Sequence, residues 1–334
     1  MLSLEVSDHH YYPLPFMRIV FMGTPDFAVP SLQRIASENH DFEIVLVVTG
    51  RDKPRRKKNA LPEPTPVKQS ALELGLPVYE TDDPSSAEFA SVVLASRPDV
   101  IVVAAFRILP PAVFSIARLG AFNLHASLLP AYRGAAPINW AIIRGEKVTG
   151  VTTFFLQEKV DTGSMILTEN VTIAEDDNAT RLAEKLSVKG AALVVETLHL
   201  INAGNVSVKK QDDSLASKAP KLTKENTRIR WNSRSAELCD FIRGLAMKPA
   251  AWTTMDGKTL KVYKAVPLES PISLPERGRE PGLVYIDDSR LLVGTVDGWI
   301  SLQQLQLEGK KIMEAQEFLR GFRYENREQP LLLL

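Results

Sequence analysis

Residues 17–48 read MRIVFMGTPDFAVPSLQRIASENHDFEIVLVV. The first six, Met17-Arg18-Ile19-Val20-Phe21-Met22, form a short apolar run interrupted only by Arg18 and closed by Gly23, which is the pattern of a strand. Residues 26–38 then carry a helical period, and 43–48 return to a Val- and Ile-rich run. Strand, helix and strand in this order predict a βαβ unit and a parallel sheet. The alternation continues to about Val206, with strands expected at 18–22, 43–48, 99–105, 121–125 and 151–156. Helices are expected at 26–38, 67–74, 85–97, 137–145 and 180–203, with Ser85 and Asn178 as caps. The fold class is therefore α/β, with a mostly parallel sheet.

Past residue 206 the texture changes. Residues 207–221 are polar and charged and end near Ala219-Pro220, the composition of a linker. Short alternating runs follow at 227–231, 251–255, 259–264, 282–286, 290–295 and 299–305, separated by turns such as Asp256-Gly257 and Asp297-Gly298. They predict a small antiparallel barrel, with helices at 235–245 and 313–321. At the other end, residues 1–16 lack an apolar core and read as a disordered extension.

Composition narrows the class further. The chain has 334 residues, 45% hydrophobic and 24% charged, enough for two domains with separate cores. The longest apolar run, residues 100–106, is seven residues, too short for a membrane-spanning helix. The single cysteine, Cys239, excludes an internal disulfide and a Cys-rich zinc site, so a reducing, cytoplasmic setting is expected and no metal is assigned. The zero net charge is unevenly spread: residues 209–264 hold 13 basic against 6 acidic side chains, and residues 51–58 (RDKPRRKK) hold six against one. Two separate basic patches suit a polyanionic partner such as RNA.

The chemistry is concentrated beyond the strand ends, where an open α/β sheet builds its site. Gly23-Thr24-Pro25-Asp26-Phe27 is not a dinucleotide fingerprint, since Pro25 removes a backbone donor, and no phosphate-cradling P-loop motif occurs. Asn123 and His125 stand two apart on the 121–125 strand and so share a face. An amide that can donate to a developing oxyanion beside an imidazole that can move a proton is an acyl-transfer arrangement. Asp161, on the loop after the next strand, supplies a carboxylate to orient that imidazole. No serine or cysteine sits in a nucleophile elbow, so the substrate's own amine must attack.

The stretch Asn123-Leu124-His125-Ala126-Ser127-Leu128-Leu129-Pro130-Ala131-Tyr132-Arg133-Gly134-Ala135-Ala136-Pro137-Ile138, followed by Asp161-Thr162-Gly163, resembles the signature of the folate-dependent formyltransferases. Phe21-Met22-Gly23-Thr24-Pro25-Asp26-Phe27, the Arg133–Ile138 run, and entry to the barrel through Lys221-Leu222 and Ile229-Arg230-Trp231 are most similar to the branch acting on initiator methionyl-tRNA. The resemblance covers residues 17–328 and implies a Rossmann-like catalytic domain at 17–206 and an OB-like, tRNA-binding domain at 222–328. It implies 10-formyltetrahydrofolate as co-substrate, and Asn123, His125 and Asp161 as the catalytic set. Phe106, Arg107, Ile108 and Leu109 with Ser127, Leu128, Leu129 and Pro130 would contact the folate. Arg51, Lys53, Arg55, Arg56, Lys57 and Lys58 with Lys258 and Lys261 would contact tRNA. The expected product is N-formylmethionyl-tRNA for translation initiation, made by a monomer. A formyltransferase for an amino-sugar nucleotide shares the catalytic domain and is the alternative.

Overall fold

The computed structural model describes residues 16–53, 62–268, 280–287, 290–322 and 330–334. The extension expected at 1–16 lies outside the described residues except for Phe16, and so do Arg55, Arg56, Lys57 and Lys58.

The chain runs β1 (Met17–Gly23), α1 (Val29–Ser37), β2 (Phe42–Thr49), α2 (Pro66–Glu73), β3 (Val78–Glu80), α3 (Ala87–Ala95), β4 (Val100–Ala104), α4 (Pro111–Phe114) and β5 (Ala121–His125). It continues through α5 (Pro137–Ile143), β6 (Val148–Phe155), β7 (Met165–Thr172) and α6 (Ala179–Asn202). The seven strands pair in the order β3-β2-β1-β4-β5-β6-β7. The first five are mutually parallel, whereas β6 runs antiparallel to β5. Two strands were not foreseen. β3 is three half-buried residues, and β7 is an edge strand whose Thr168, Glu169, Asn170 and Thr172 break any apolar run. The cap of α3 is Ser86, whose hydroxyl accepts from Phe89 N at 3.2 Å, and not Ser85, which donates to Asp83 instead. Asn178 caps as expected, accepting from Arg181 N at 3.0 Å.

Contacts divide the chain into two compact units. The first comprises the chain up to His125 with 152–168 and 187–211. Val20, Met22, Leu46, Val48, Ile101 and Val103 alternate along their strands onto one face, where Phe89, Val93 and Val113 cover them. Ile19, Phe21, Val47 and Val102 on the other face are equally buried, as a sheet flanked on both sides requires. On β5 this opposite set includes Leu124. A Cβ at Gly190 of α6 would lie 2.6 Å from Leu124, so glycine is the residue that lets α6 seat there.

The second unit comprises 126–151, 169–186 and 212–334. Its later elements are α7 (Ser235–Leu245), β8 (Ala251–Met255), β9 (Lys258–Pro267), β10 (Val284–Asp287), β11 (Arg290–Gly294), β12 (Trp299–Leu307), β13 (Met313–Glu314) and α8 (Ala315–Arg320). The strands pair antiparallel in the order β10-β11-β12-β9-β8, with β13 beside β12. The run at 227–231 contributes one parallel bridge, Arg228 to Trp252, rather than a strand, and the helix expected at 313–321 gives its first two residues to β13. Residues 331–334, left out of the expected domain, are part of it. Val284 N donates to Leu331 O at 2.9 Å, Leu333 N to Gly282 O at 2.9 Å, and Leu334 exchanges bonds of 2.9 and 3.1 Å with Thr254. They thereby join β10 to β8, the two edges of the sheet, with Leu331 and Leu333 each 3% exposed.

The expected linker at 207–221 is also firmly held. Lys209 exchanges two bonds of 2.9 Å with Met165 in the first unit, and in the second Ala219 N donates to Arg133 O at 2.7 Å. Backbone pairing satisfies groups that composition alone assigns to solvent. Among the described residues, no helix is long and apolar enough to cross a membrane.

Candidate active site

In the first unit the strand order reverses at β1 and β4, so a crevice forms beyond their carboxyl ends. A Cβ at Gly23, the last residue of β1, would stand 2.7 Å from Ala28 Cβ and 3.0 Å from Ala104 O, which explains glycine there. The next parallel strand, β5, ends at His125. Asn123 is half-buried and His125 is 6% exposed, its ring edge-on to Phe154 at 6.4 Å. β5 reaches this point through cross-strand register, with Asn123 opposite Phe154 and His125 opposite Thr152 of β6.

Asp161 approaches from the loop between β6 and β7, placing Oδ1 3.9 Å from His125 Nδ1, with the carboxylate side chain 11% exposed. At that distance a protonated imidazole and a carboxylate form an ion pair without a direct hydrogen bond. The loop is tightly specified. Asp161 has a φ of 56°, in the left-handed region, and a Cβ at Gly163 would lie 1.7 Å from Phe155 O. Gln211, for which the sequence offered no signal beyond an uncharged amide among charges, is 5% exposed and donates from Nε2 to Asp161 O at 2.9 Å and Gly163 O at 2.8 Å.

The residues expected to contact folate divide by burial. Phe106 packs half-buried on the sheet core, Arg107 pairs with Asp82 at 2.5 Å, and Ile108 is 71% exposed. Leu109 is 7% exposed, with its side chain in the core beside Val113. In the second unit Ser127 is fully buried and donates to Ala131 O at 2.6 Å, Leu129 is buried, and Leu128 and Pro130 are half-buried.

The adjoining motif is held by residues 217–219. Tyr132 N donates to Ser217 Oγ at 2.8 Å, and a Cβ at Gly134 would meet Ala219 O at 2.5 Å. Burial, with a 2.5 Å bond from its hydroxyl to Glu146, pushes the Tyr132 phenol up to about 12.

Of the basic residues, Arg51 and Lys53 are exposed in the first unit, and Lys53 and Glu63 exchange backbone bonds of 3.2 and 3.0 Å. Asp52 beside them pairs with Lys68, which also bonds Glu80; these bonds hold the Lys68 ammonium above its ordinary value. In the second unit Lys258 and Lys261 lie on β9, and Lys261 stands opposite Trp252 of β8. Lys224 and Arg228 lie over the Trp252 ring at 5.3 and 5.4 Å. The structure thus adds an aromatic with two further cations to the basic residues read from sequence.

Residues 17–198 match the family described as Formyl transferase, and residues 221–323 match Formyl transferase, C-terminal domain. The chain is 59% identical over 316 residues to the methionyl-tRNA formyltransferase of Chlorobium luteolum, covering 95% of this chain and 100% of that one. It is 40% identical over 311 residues to that of Geobacter metallireducens, covering 92% and 97%. Among solved structures, HypX from Aquifex aeolicus in complex with tetrahydrofolic acid is similar in fold, at 18% identity and a TM-score of 0.61, covering 91% of this chain. The matched part is 47% of HypX, so the chain spans about half of that protein.

Proposed function

The chain belongs to the formyl transferase family, among the methionyl-tRNA formyltransferases, and on that premise we propose how its residues move a formyl group from 10-formyltetrahydrofolate to the α-amino group of methionyl-initiator-tRNA. The observation that carries the assignment of roles is the buried His125 faced by Asp161 at the end of the strand that also presents Asn123.

The folate supplies the formyl group. The end of β4 suits its flat ring, since exposed Ile108 beside half-buried Phe106 offers apolar surface, and Arg107 stands next to them. The sequence resemblance assigns Leu109, Ser127, Leu128, Leu129 and Pro130 to the folate as well. The attacking α-amine has an ordinary pKa of about 7.7–8.0, so a neutral fraction is present near pH 7 and modest base assistance suffices. Asn123 donates its amide to the carbonyl oxygen as negative charge builds there, and an N–H of His125 donates beside it; one such donor is worth about 2.7–4 kcal/mol. Asp161 orients the imidazole and takes part in moving the amine's proton toward the departing nitrogen. No step is assigned to a metal.

Arg51, Lys53, Arg55, Arg56, Lys57 and Lys58 in the first basic cluster, and Lys258 and Lys261 with Lys224, Arg228 and Trp252 in the second, are assigned to the tRNA. Phosphates meet the cations, two of which the indole holds over its ring. The reading puts the reaction in the cytoplasm, where initiator tRNA is charged and used.

The test supplies purified protein with 10-formyltetrahydrofolate and either charged initiator tRNA or an amino-sugar nucleotide. Formylation of the esterified methionine is expected. Transfer to the sugar amine alone would replace this reading with the alternative.

A further inference from the structure

We propose that Gln211 is a positioning residue for this reaction, holding the Asp161 carboxylate toward His125 by ordering the backbone that carries it. The inference rests on the role given above to Asp161. Gln211 is buried between exposed neighbours, Lys210 and Asp212, so its side chain is turned inward at one point of a charged segment. Both bonds leave the same amide nitrogen, at 2.9 Å to Asp161 O and 2.8 Å to Gly163 O. One NH2 group carries two hydrogens, and these two carbonyls accept both.

This clamp falls where the loop most needs it. Asp161 holds a φ of 56°, a conformation that a residue with a Cβ keeps only when its surroundings enforce it. Gly163, two residues on, is pressed against Phe155 O so closely that no side chain fits. Rotation of the peptide following Asp161 would swing its carbonyl away from Nε2 and leave a buried donor unsatisfied, so the two bonds fix the backbone conformation from which Asp161 presents its carboxylate. The reciprocal 2.9 Å bonds between Met165 and Lys209 set the register that delivers Gln211 to the loop. The chemistry is specific to an amide. A glutamate would set an acceptor against two carbonyl oxygens, and a lysine would bring a full charge into the buried position.

The experiment compares Gln211→Met, similar in length but without donors, with Asp161→Asn and the double variant, using initiator methionyl-tRNA and 10-formyltetrahydrofolate. Gln211→Met should lower kcat at least about tenfold while both KM values stay within about twofold, because displacing a reacting group by about 1 Å can cost a hundredfold. In the Asp161→Asn background the same change should cost less than about twofold, since two residues serving one function are not additive. A normal kcat in Gln211→Met, a loss confined to KM, or a full tenfold further loss in the double variant would overturn the inference while leaving Asp161 in place. Near-normal turnover of Asp161→Asn alone would remove the role of Asp161 itself, and the inference with it. Should Gln211→Met not fold, Gln211→Asn, one methylene too short to reach both carbonyls, is read by the same criteria.

Discussion

His125 combines burial with a facing carboxylate at 3.9 Å, and both depend on residues far apart in the chain. His125→Ala and Asp161→Asn should each lower turnover at least about a hundredfold while folate affinity is kept, because both groups act on charge that develops during reaction. Single-turnover rates and equilibrium folate binding on the same preparations check this, and near-normal rates in both variants would remove the pair from the mechanism. Tyr132 gives a stability prediction. Its phenol is raised from an ordinary 10 to about 12, chiefly by burial, so the folded state keeps a proton that the unfolded chain loses. The contribution is fully present below pH 10 and disappears as pH rises toward about 12. Urea melts across that range should show a steeper loss for the native protein than for Tyr132→Phe. Equal slopes would mean that the hydroxyl is not held as described.

Among the elements, α5 and α7 pack together in the second unit through an absence of side chain. A Cβ at Gly244 of α7 would lie 2.7 Å from Ile143 Cγ1 and 3.1 Å from Asn139 O of α5, while Asn139 Nδ2 donates to Gly244 O at 2.8 Å. Gly244→Ala adds about 1 kcal/mol of helix propensity, but the overpacking costs about 1–3 kcal/mol. The neighbour that must yield includes backbone, so net destabilisation is expected, read as a lower urea midpoint with unchanged slope. A midpoint equal to or above that of the native chain would show that the helices part freely. Three elements, β5, β8 and α7, have the bounds that the sequence predicts, because each is both periodic and sharply ended. The start of α7 is marked by Arg234 N donating to Glu237 at 3.2 Å, a local bond that the sequence can advertise, whereas the bond from Ser235 N to Asp297 at 2.8 Å comes from 62 residues away. β3 and β7 carried no such mark. Three residues are too few for periodicity, and an edge strand needs no continuous apolar run.

At the scale of the whole molecule, the last residues bear on stability and the charge distribution on tRNA. Leu331 and Leu333 sit in the core of the second sheet with Trp231, Leu238 and Ile242. Leu331→Ala should cost about 2–5 kcal/mol, the usual penalty for emptying a buried leucine site. Calorimetry should show the fall in melting temperature, and an unaltered transition would mean that these residues do not close the barrel. The basic residues Lys258, Lys261 and Arg228 of the second unit should appear in the salt dependence of tRNA affinity. Lys258→Ala, Lys261→Ala and Arg228→Ala should each reduce the slope of log affinity against log salt by about 0.7–0.9 for every phosphate that the removed cation neutralises. The folate constant should not move. A slope unchanged in the triple variant would leave these cations as a solvated surface.

The sequence by itself determined the α/β class, the change to an antiparallel second domain, and the identity of Asn123 and His125 as neighbours on one strand face. All three depend on short-range pattern: runs of Val and Ile, helical period, and alternation of side chains along a strand. It also pointed to Asp161, but only as a carboxylate on a nearby loop. Its distance from His125, the positive φ that it adopts, and the amide of Gln211 that braces it required the fold, since Gln211 lies 50 residues beyond Asp161. The same holds for Leu331 to Leu334. Four leucines after a charged stretch look like a tail, and they become part of a sheet because β8 and β10 offer their edge backbone groups on either side of them. Backbone hydrogen bonds between distant segments leave no trace in composition, because nearly every residue carries the same donor and acceptor. Which of them meet is decided by tertiary structure.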